Sequence, residues 1–294
     1  MVAPTSSSRI PRIAVVTVSY GSADVLSHFL DSLADASSES IDIVIADNKP
    51  DGSEQVPDLA LASNATYLPM GSNKGYGYAI NAAVQSITHP IDWILVSNPD
   101  LIMGPRSIDA LVAVGDEDST IGSVGPATFT NAGDLYPSAR AVPSLRNGVG
   151  HALYANLWIG NPWSRAYRND SGNSMQRRDA GWLSGACVLV RKSAFDELNG
   201  FDPGFFMYFE DVDLGYRLGK LGYRNVYEPA ATVTHTGAHS TNSDSNLMIA
   251  AHHDSARRFL NKKYSGTLLW PLRVVLALGL NLRSMLTRRK SRHQ

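Results

Sequence analysis

The run Ile13-Ala-Val-Val-Thr-Val-Ser-Tyr20 decides the fold class. It is apolar and rich in β-branched residues over the length of one strand, which indicates a strand buried on both faces. Residues 41–46 form a second run of this kind. Between the two runs, apolar residues recur at helical spacing, at Val25, Leu26, Phe29, Leu30 and Leu33. A strand, a helix and a strand in this order favour two parallel strands with a helix packed on them.

The same alternation continues along the chain. The predicted elements are a polar loop at 49–64, a strand at 65–68, a helix from Gly75 or Tyr76 to Ile87, a strand at 93–96, a helix opened by Pro105, strands at 121–124 and 181–190, and a short helix at 193–198. The expected fold class is therefore α/β, with a mainly parallel central sheet and helices on both faces. Residues 130–180 interrupt the pattern with arginines and aromatic residues, which fit either a partly ordered insertion or a substrate-facing lid.

Polar residues follow three of the predicted strands where each strand ends. They are Ser19-Tyr20, Asp47-Asn48 and Asn98-Pro99-Asp100. Because the carboxyl ends of parallel strands meet at one edge of a sheet, where ligands bind, we expect the three clusters to converge there. Each cluster alone also fits a turn, since Asp, Asn and Pro are common turn formers.

A second distinctive stretch is Phe205-Phe-Met-Tyr-Phe-Glu-Asp-Val-Asp213. Five large apolar or aromatic residues lead directly into three carboxylates, and Leu214, Leu218 and Leu221 then continue at helical spacing. The pattern predicts that Glu210 and Asp211 lie at the start of a half-buried helix. These carboxylates could instead be an acidic cap of the helix. For Asp213 the cap and a functional role are equally well supported. The aromatic residues beside Glu210 and Asp211 favour a general base next to a sugar ring.

Composition sets wider limits. The chain has 294 residues, 44% of them hydrophobic, and a formal net charge of −1. A single cysteine, Cys187, excludes an internal disulfide and a zinc site built from cysteines. The first eleven residues are polar and rich in serine, without the apolar core of a signal peptide, so we expect a cytoplasmic protein. We expect no nucleic-acid partner.

Six motifs occur in the order and spacing of family 2 glycosyltransferases, and over residues 12–240 the chain resembles that family. They are Val18-Ser-Tyr20, Asp47-Asn48, Asn73-Lys-Gly-Tyr-Gly77, Asn98-Pro-Asp100, Trp182-Leu-Ser-Gly185 and Phe209-Glu-Asp-Val-Asp-Leu-Gly-Tyr-Arg217, with His235 downstream. Within the family the chain is most similar to bacterial rhamnosyltransferases that act on polyprenyl-diphosphate-linked N-acetylglucosamine. The resemblance implies a GT-A fold with a catalytic domain at 1–240, an inverting mechanism and a nucleotide-sugar donor, with dTDP-rhamnose expected.

The resemblance also implies residue roles for the donor. Asp47 and Tyr20 would line the nucleoside pocket next to Ser19, and Asn73 and Gly75 would approach the nucleotide. Asn98-Pro99-Asp100 stands where the family has its Asp-X-Asp metal motif, so that here an amide replaces the first carboxylate. Asp100 and His235 remain the expected ligands for Mg²⁺ or Mn²⁺.

For the acceptor, the resemblance places the catalytic base at Asp211, whose pKa we expect Glu210 and Asp213 to raise. Trp182, Gly185, Glu210 and His239 are the expected acceptor-binding residues. A sugar-nucleotide-binding scaffold without transferase activity is an alternative, and Asn98 supports it. A nucleotidyltransferase is disfavoured, because residues 15–22 are not a glycine-rich, basic phosphate loop.

The C-terminal segment, residues 241–294, is predicted to be helical and basic. Ten of the 26 Lys and Arg residues follow position 256, and no Asp or Glu does. A helix is expected at 247–259, followed by an apolar stretch at 268–282 that is shorter than the roughly 20 residues of a spanning helix. A buried core helix would explain the leucines alone. An interfacial helix would also explain the basic tail, so we expect a peripheral protein on the anionic inner face of the cytoplasmic membrane.

Overall fold

The computed structural model describes residues 10–144, 175–237, 245–271 and 274. The strands are β1 Ile13–Ser19, β2 Ile41–Asp47, β3 Thr66–Pro69, β4 Trp93–Ser97, β5 Leu101–Met103, β6 Ile121–Thr130, β7 Leu135–Tyr136, β8 Ala139–Arg140, β9 Arg178–Ala180, β10 Trp182–Leu183, β11 Cys187–Arg191 and β12 Arg224–His235. The helices are α1 Ala23–Ala36, α2 Val56–Ala62, α3 Tyr76–Ser86, α4 Ser107–Glu117, α5 Lys192–Glu197, α6 Glu210–Lys220 and α7 Ser245–Lys263, followed by a 3₁₀ turn at Thr267–Leu269.

The central sheet has the strand order β3-β2-β1-β4-β11-β6-β12-β5, with β7 paired to β6 and β9 to β12. Strands β1, β2, β3 and β4 pair in parallel, as do β6 and β12, whereas β11 is antiparallel to both β4 and β6. The reversal at β11 brings its first residue, Cys187, opposite the last residue of β4, Ser97. Residues just before β11 therefore lie at the same sheet edge as the carboxyl ends of β1, β2 and β4.

Helices cover both faces of the sheet, which confirms the predicted α/β fold. Alternate residues of β1 point to opposite layers: Ile13 and Val15 pack with α1 and α4, whereas Ala14 and Val16 pack with α3, α5 and α6. All the residues of β1 are buried. This two-sided burial explains why the strand is apolar almost throughout instead of alternating with polar residues.

Three element predictions need correction. The predicted loop at 49–64 contains α2, because Val56 and Ala60 are buried in the core one helical turn apart. The predicted strand at 181–190 is two strands, β10 and β11, separated by a turn. The helix predicted to open at Pro105 begins at Ser107, after a residue with positive φ.

Outside the main sheet, β8 and β10 form a separate antiparallel pair. Helix α7 packs on the segment before α6, where Phe259 is fully buried together with Phe205 and Val212. Strands β7, β8 and β9 lie within the predicted insertion at 130–180, of which residues 145–174 lie outside the described residues. The described part of the apolar stretch is exposed, with Leu268 92% and Trp270 61% accessible.

Candidate active site

The three strand ends lie side by side, because β1 pairs with both β2 and β4. Ser19 and Asp47 are fully buried, and the backbone N–H of Asn48 donates to the carbonyl of Ser19 (2.8 Å). Asn98 is half-buried, and its N–H donates to the carbonyl of Ala186 before β11 (2.8 Å). Ser19 Oγ and Asn48 Oδ1 are buried without a hydrogen-bond partner among the described residues. Unsatisfied polar atoms at a sheet edge are what a bound ligand would satisfy.

The Asp47 carboxylate is fixed by two hydrogen bonds. Oδ1 accepts from the N–H of Lys49 (3.2 Å), and Oδ2 accepts from the hydroxyl of Tyr67 (3.1 Å). Tyr67, at the neighbouring edge strand β3, was not predicted as a site residue. Tyr20 is 52% exposed directly after β1. A fixed carboxylate beside an exposed aromatic ring provides both hydrogen bonding and stacking for a planar ligand.

Gly75 joins two parts of the site. Its φ is +104°, and a Cβ atom there would clash with the carbonyl of Phe206. The N–H of the next residue, Tyr76, donates to that same carbonyl (3.0 Å), while Asn73 Oδ1 accepts from the N–H of Gly75 (3.0 Å). Only glycine fits this conformation and this close approach. The start of α3 is thereby locked onto the segment that leads into α6.

Asp100 and His235 meet at the same edge through the pairing of β5 with β12, which sets His235 opposite Leu101. His235 Nε2 lies 3.0 Å from Asp100 Oδ2. Thr236 supports Asp100 with two hydrogen bonds to its carbonyl, from the backbone N–H (3.0 Å) and from the hydroxyl (2.9 Å). The Asp100 carboxylate raises the pKa of His235 above its usual value, because it stabilises the charged imidazolium.

Glu210 and Asp211 form the first turn of α6, as predicted. Tyr208 and Phe209, just before them, have φ of +67° and +65°, a strained conformation for bulky residues. Asp211 Oδ2 accepts from the N–H of Gly185 (2.9 Å), and Oδ1 accepts from the N–H of Val212 (2.8 Å). Burial raises the pKa of Asp211 above its usual value despite these bonds. Burial and the adjacent Asp211 charge raise the pKa of Glu210 to about 8.

Asp213 has a different role from its neighbours. It is fully buried, and its carboxylate oxygens lie 2.6 Å from Arg217 Nε and 2.7 Å from Lys262 Nζ of α7. Two cations thus compensate its charge, and it joins α6 to α7. The pKa of Asp211 is raised, but its main cause is burial and not the neighbouring carboxylates that the sequence suggested. We assign Asp213 a structural role.

Comparison with known proteins identifies the family. A family model described as "Glycosyltransferase like family 2" matches residues 11–252. The chain belongs to glycosyltransferase family 2. It is 42% identical over 289 residues to an N-acetylglucosaminyl-diphospho-decaprenol L-rhamnosyltransferase of Mycobacterium tuberculosis, covering 95% of this chain and 94% of the relative. It is 27% identical over 257 residues to the rhamnosyltransferase WbbL of Escherichia coli, covering 85% and 93%.

Solved structures confirm the GT-A fold predicted for this glycosyltransferase. A mannosyltransferase from Pyrobaculum calidifontis, in complex with GDP-Man and Mn²⁺, aligns with a TM-score of 0.58 at 14% identity, over 93% of this chain and 70% of that one. GalNAc-T7 with UDP, GalNAc and Mn²⁺ aligns with a TM-score of 0.56 at 16% identity, over 79% and 44%. At such identities the likeness concerns the fold alone.

A divalent cation fits the Asp100–His235 pair of the glycosyltransferase. The 3.0 Å separation is that of neighbouring ligands in an octahedral site with bonds of about 2.1 Å. Asp100 Oδ1 is buried and has no hydrogen-bond partner in the described ranges. Within those ranges no group of three or more His, Cys, Asp or Glu could hold a metal ion. A cation here would therefore complete its coordination with other groups, as Mg²⁺ does with substrate phosphates.

Two residues of this glycosyltransferase connect the strand-end cluster with α6. The hydroxyl of Tyr76 donates to the carbonyl of Gly185 (3.0 Å), and burial with the charges of Glu210 and Asp211 raises the pKa of Tyr76 well above its usual value. Gly185 itself is buried, and a Cβ atom there would lie 3.2 Å from Asp211 Cβ. Local sequence patterns carry no signal for this contact of Tyr76, because the motif that contains it is separated from Gly185 by more than 100 residues.

The structure describes two of the three remaining predicted acceptor residues. Trp182 lies in β10, packs on Gly215 of α6 and donates its indole N–H to the carbonyl of Ala141 (3.1 Å). Glu210 is 8% exposed, and its Oε2 has no hydrogen-bond partner among the residues described. His239 lies outside the described residues.

Proposed function

We propose that this glycosyltransferase moves L-rhamnose from dTDP-rhamnose to N-acetylglucosamine carried on a polyprenyl diphosphate, with inversion at the anomeric carbon. The main support is the position of Asp211. The N–H of Gly185 holds this partly buried carboxylate, whose pKa is raised, at the edge of the sheet where ligands are expected to bind. The donor sugar and acceptor are supported by the activity for which the Mycobacterium tuberculosis relative is named, and that relative is 42% identical.

Asp211 is the proposed general base. It would take the proton of an acceptor hydroxyl as that oxygen attacks the anomeric carbon and the bond from this carbon to the diphosphate oxygen breaks. A raised pKa makes a carboxylate a better proton acceptor, and the hydrogen bond from Gly185 fixes its direction. A single displacement with one base inverts the anomeric centre.

The donor would occupy the strand ends. We assign the nucleoside to Ser19, Tyr20 and Asp47, and the nucleotide phosphates to the region of Asn73, Gly75, Asn98 and Asp100. Asp100 and His235 would hold Mg²⁺ or Mn²⁺, which as a Lewis acid would neutralise the departing diphosphate. Asn98 offers an amide oxygen without charge, so Asp100 carries the negative charge of this motif.

The acceptor would lie on the side of α6 and β10. Trp182 offers a partly buried aromatic surface where it packs on Gly215, one turn after Asp211 in α6, and sugars pack well on such surfaces. Gly185 leaves room at the base, and Glu210, which keeps its proton up to a pH of about 8, can donate a hydrogen bond to a sugar hydroxyl. His239 is the fourth proposed acceptor residue.

Donor identity is tested by thermal shift with dTDP-, UDP- and GDP-sugars, followed by product analysis with a lipid-linked acceptor and a divalent cation. Ligand binding raises the melting temperature by mass action, so dTDP-rhamnose should give the largest shift. A shift with GDP-mannose alone would disprove the donor assignment. Binding of dTDP-rhamnose with neither hydrolysis nor transfer would favour a sugar-nucleotide-binding scaffold.

We further propose that the protein works at the anionic inner face of the cytoplasmic membrane, where such an acceptor is held. No helix within the described ranges is long and apolar enough to cross a membrane. The exposed Leu268 and Trp270 begin the apolar stretch that precedes the basic tail. Deleting residues 267–294 should weaken binding to anionic liposomes and transfer to lipid-linked acceptor, but spare hydrolysis of the donor. Equal liposome binding at low salt with and without this segment would contradict the proposal.

A further inference from the structure

The strand pair of β8 and β10 lies beside the proposed base. Arg140 of β8 is paired with Trp182 of β10, and the carbonyl of Arg140 accepts from the N–H of Gly181 (2.8 Å). Past β10, the N–H of Ser184 donates to the carbonyl of Ser138 (2.7 Å), which keeps the two chains together up to Gly185. Because Gly185 binds Asp211, Arg140 belongs to the same rigid unit as the base.

The Arg140 side chain is held by neutral groups. Its Nε donates to the carbonyl of Pro137 (2.8 Å), and its guanidinium lies 5.7 Å from the ring centre of Tyr136 and 5.8 Å from that of Trp182. These contacts fix the guanidinium, since arginine packs favourably against aromatic rings. They leave Nη1 and Nη2 without a hydrogen bond or salt bridge to any residue that the structure describes.

Arg191 shows what a structural arginine looks like in this protein. It too lies over an aromatic ring, Trp93, at 4.4 Å. However, its Nε donates to the carbonyl of Ile121 and its Nη2 to those of Gly115 and Asp118, so both of these nitrogens are occupied. Arg140 donates to one carbonyl and keeps its outer edge available. A fixed guanidinium with an available edge is suited to two parallel hydrogen bonds with a phosphate.

A purely electrostatic role in keeping Asp211 ionised does not account for Arg140. Its positive charge does act to lower the pKa of Asp211, but burial outweighs it and the pKa is raised. A rigid, partly buried cation beside the base therefore leaves a charge that a ligand on this side would neutralise.

We propose that Arg140 binds a phosphate of the acceptor's diphosphate. The inference rests on the proposed function, in which the acceptor sugar carries a diphosphate. The donor also contains a diphosphate, but in an inverting displacement that group leaves from the face of the sugar opposite the base. Arg140 is on the side of the base, in the strand pair that holds Gly185. In this arrangement the donor diphosphate would lie at Asp100 and His235, and the acceptor diphosphate at Arg140.

The decisive experiment compares two acceptors of equal lipid length. One is N-acetylglucosaminyl diphosphate on a short prenyl chain, and the other is an uncharged alkyl N-acetylglucosaminide. Arg140→Gln should raise the KM for the diphosphate acceptor by on the order of 10–100-fold, the value of a lost charged hydrogen bond. The KM for the uncharged acceptor, the KM for the donor and donor hydrolysis should stay within about twofold. Arg140→Lys should recover part of the loss, since lysine keeps the charge but not the paired geometry.

Controls separate this role from others. Arg106→Gln removes an exposed arginine that is paired with Asp109 and should change neither KM. An equal loss with both acceptors would overturn the proposal in favour of a supporting role for β8 and β10. A raised donor KM would overturn it in favour of the donor diphosphate. A shifted pH profile with an unchanged acceptor KM would overturn it in favour of tuning Asp211.

A binding measurement keeps the test independent of acceptor identity. Farnesyl diphosphate, which lacks a sugar, should bind the intact protein saturated with dTDP and bind Arg140→Gln at least tenfold more weakly. Equal binding to both proteins, or binding to neither, would overturn the proposal. Failure of the unaltered enzyme to use the diphosphate acceptor, with farnesyl diphosphate still bound through Arg140, would instead contradict the proposed function alone.

Discussion

Two pairs of ionisable residues at one sheet edge differ in how their charge is compensated. Asp100, directly before β5, lies 3.0 Å from the imidazole of His235 at the end of β12. Glu210 and Asp211 are adjacent carboxyls at the start of α6, after two residues with positive φ. In the first pair the carboxylate raises the pKa of His235, whereas in the second burial raises the pKa of both acids. The Asp100–His235 pair therefore favours a positive charge nearby, whereas burial favours the protonated form of Glu210 and Asp211.

The largest expected effect separates Asp211 from its neighbour Asp213. Asp211→Asn keeps the shape but cannot accept a proton, so transfer should fall by about 10²–10⁴-fold while donor binding stays within a few-fold. Steady-state transfer and dTDP-rhamnose titration measure the two quantities. Transfer above about a tenth of the unaltered rate would remove Asp211 from the role of base.

Asp213→Asn is the matched control on the same helix. It leaves Arg217 and Lys262 beside a buried amide, so the free energy of unfolding should fall by about 3–5 kcal/mol. The folded fraction should retain transfer. Urea unfolding and activity per folded molecule measure both. If Asp213→Asn loses transfer as completely as Asp211→Asn without loss of stability, the two carboxylates do not have separate roles.

Substitutions in the Asp100–His235 pair should change the metal dependence of transfer. Asp100→Ala and His235→Ala should each depress transfer and weaken its dependence on Mg²⁺ or Mn²⁺, and chelation should silence the unaltered enzyme reversibly. Mn²⁺ binding in the presence of dTDP, followed by electron paramagnetic resonance, should weaken in both variants. Full activity after exhaustive chelation would mean that protein cations neutralise the donor diphosphate.

Acidification should reduce activity at a higher pH than the pKa of an ordinary aspartate would predict. Because burial raises the pKa of Asp211, the base should become protonated, and kcat/KM should fall, at a pH above the usual aspartate range. The pH profile of kcat/KM with saturating donor measures this. A profile that stays flat down to the ordinary aspartate pKa of 3.8 would contradict the assigned environment of Asp211.

Local sequence patterns predicted the sheet and its polar edge. The strand ends at Ser19, Asp47 and Asp100 could be found because apolar runs fix buried strands and the carboxyl ends of parallel strands share one edge. The aromatic run before Glu210 and Asp211 likewise predicted the start of α6. Both signals are short in sequence, so neither depends on how distant segments pack.

Local sequence patterns did not predict contacts between distant segments. Tyr67 binds Asp47 only because β3 lies next to β2, and Tyr76 reaches Gly185 only because β11 runs antiparallel to β4. The positive φ of Tyr208 and Phe209 contradicts their intrinsic preference, and surrounding packing holds it, including the hydrogen bond from Ser255 of α7 to the carbonyl of Met207 (2.8 Å). Local preference gives no sign of a conformation that tertiary contacts impose.

The smallest expected effect concerns the pH dependence of stability. Glu210 has a folded pKa of about 8 against an ordinary value of 4.5, so between these values the folded protein holds a proton that the unfolded chain releases. Its contribution to the free energy of unfolding is complete below pH 4.5, falls as pH rises and is lost above about 8. Glu210→Gln keeps the neutral form at every pH. The melting temperature of this variant relative to the unaltered protein should therefore increase from pH 5 to pH 8.5, by roughly 2–4 °C for each kcal/mol. Glu54→Gln, at an exposed position, is the control for removing one carboxylate from the protein. A constant difference for Glu210→Gln would show that Glu210 ionises as an ordinary glutamate, and the contrast between the Asp100–His235 and Glu210–Asp211 pairs would then rest on Asp211 alone.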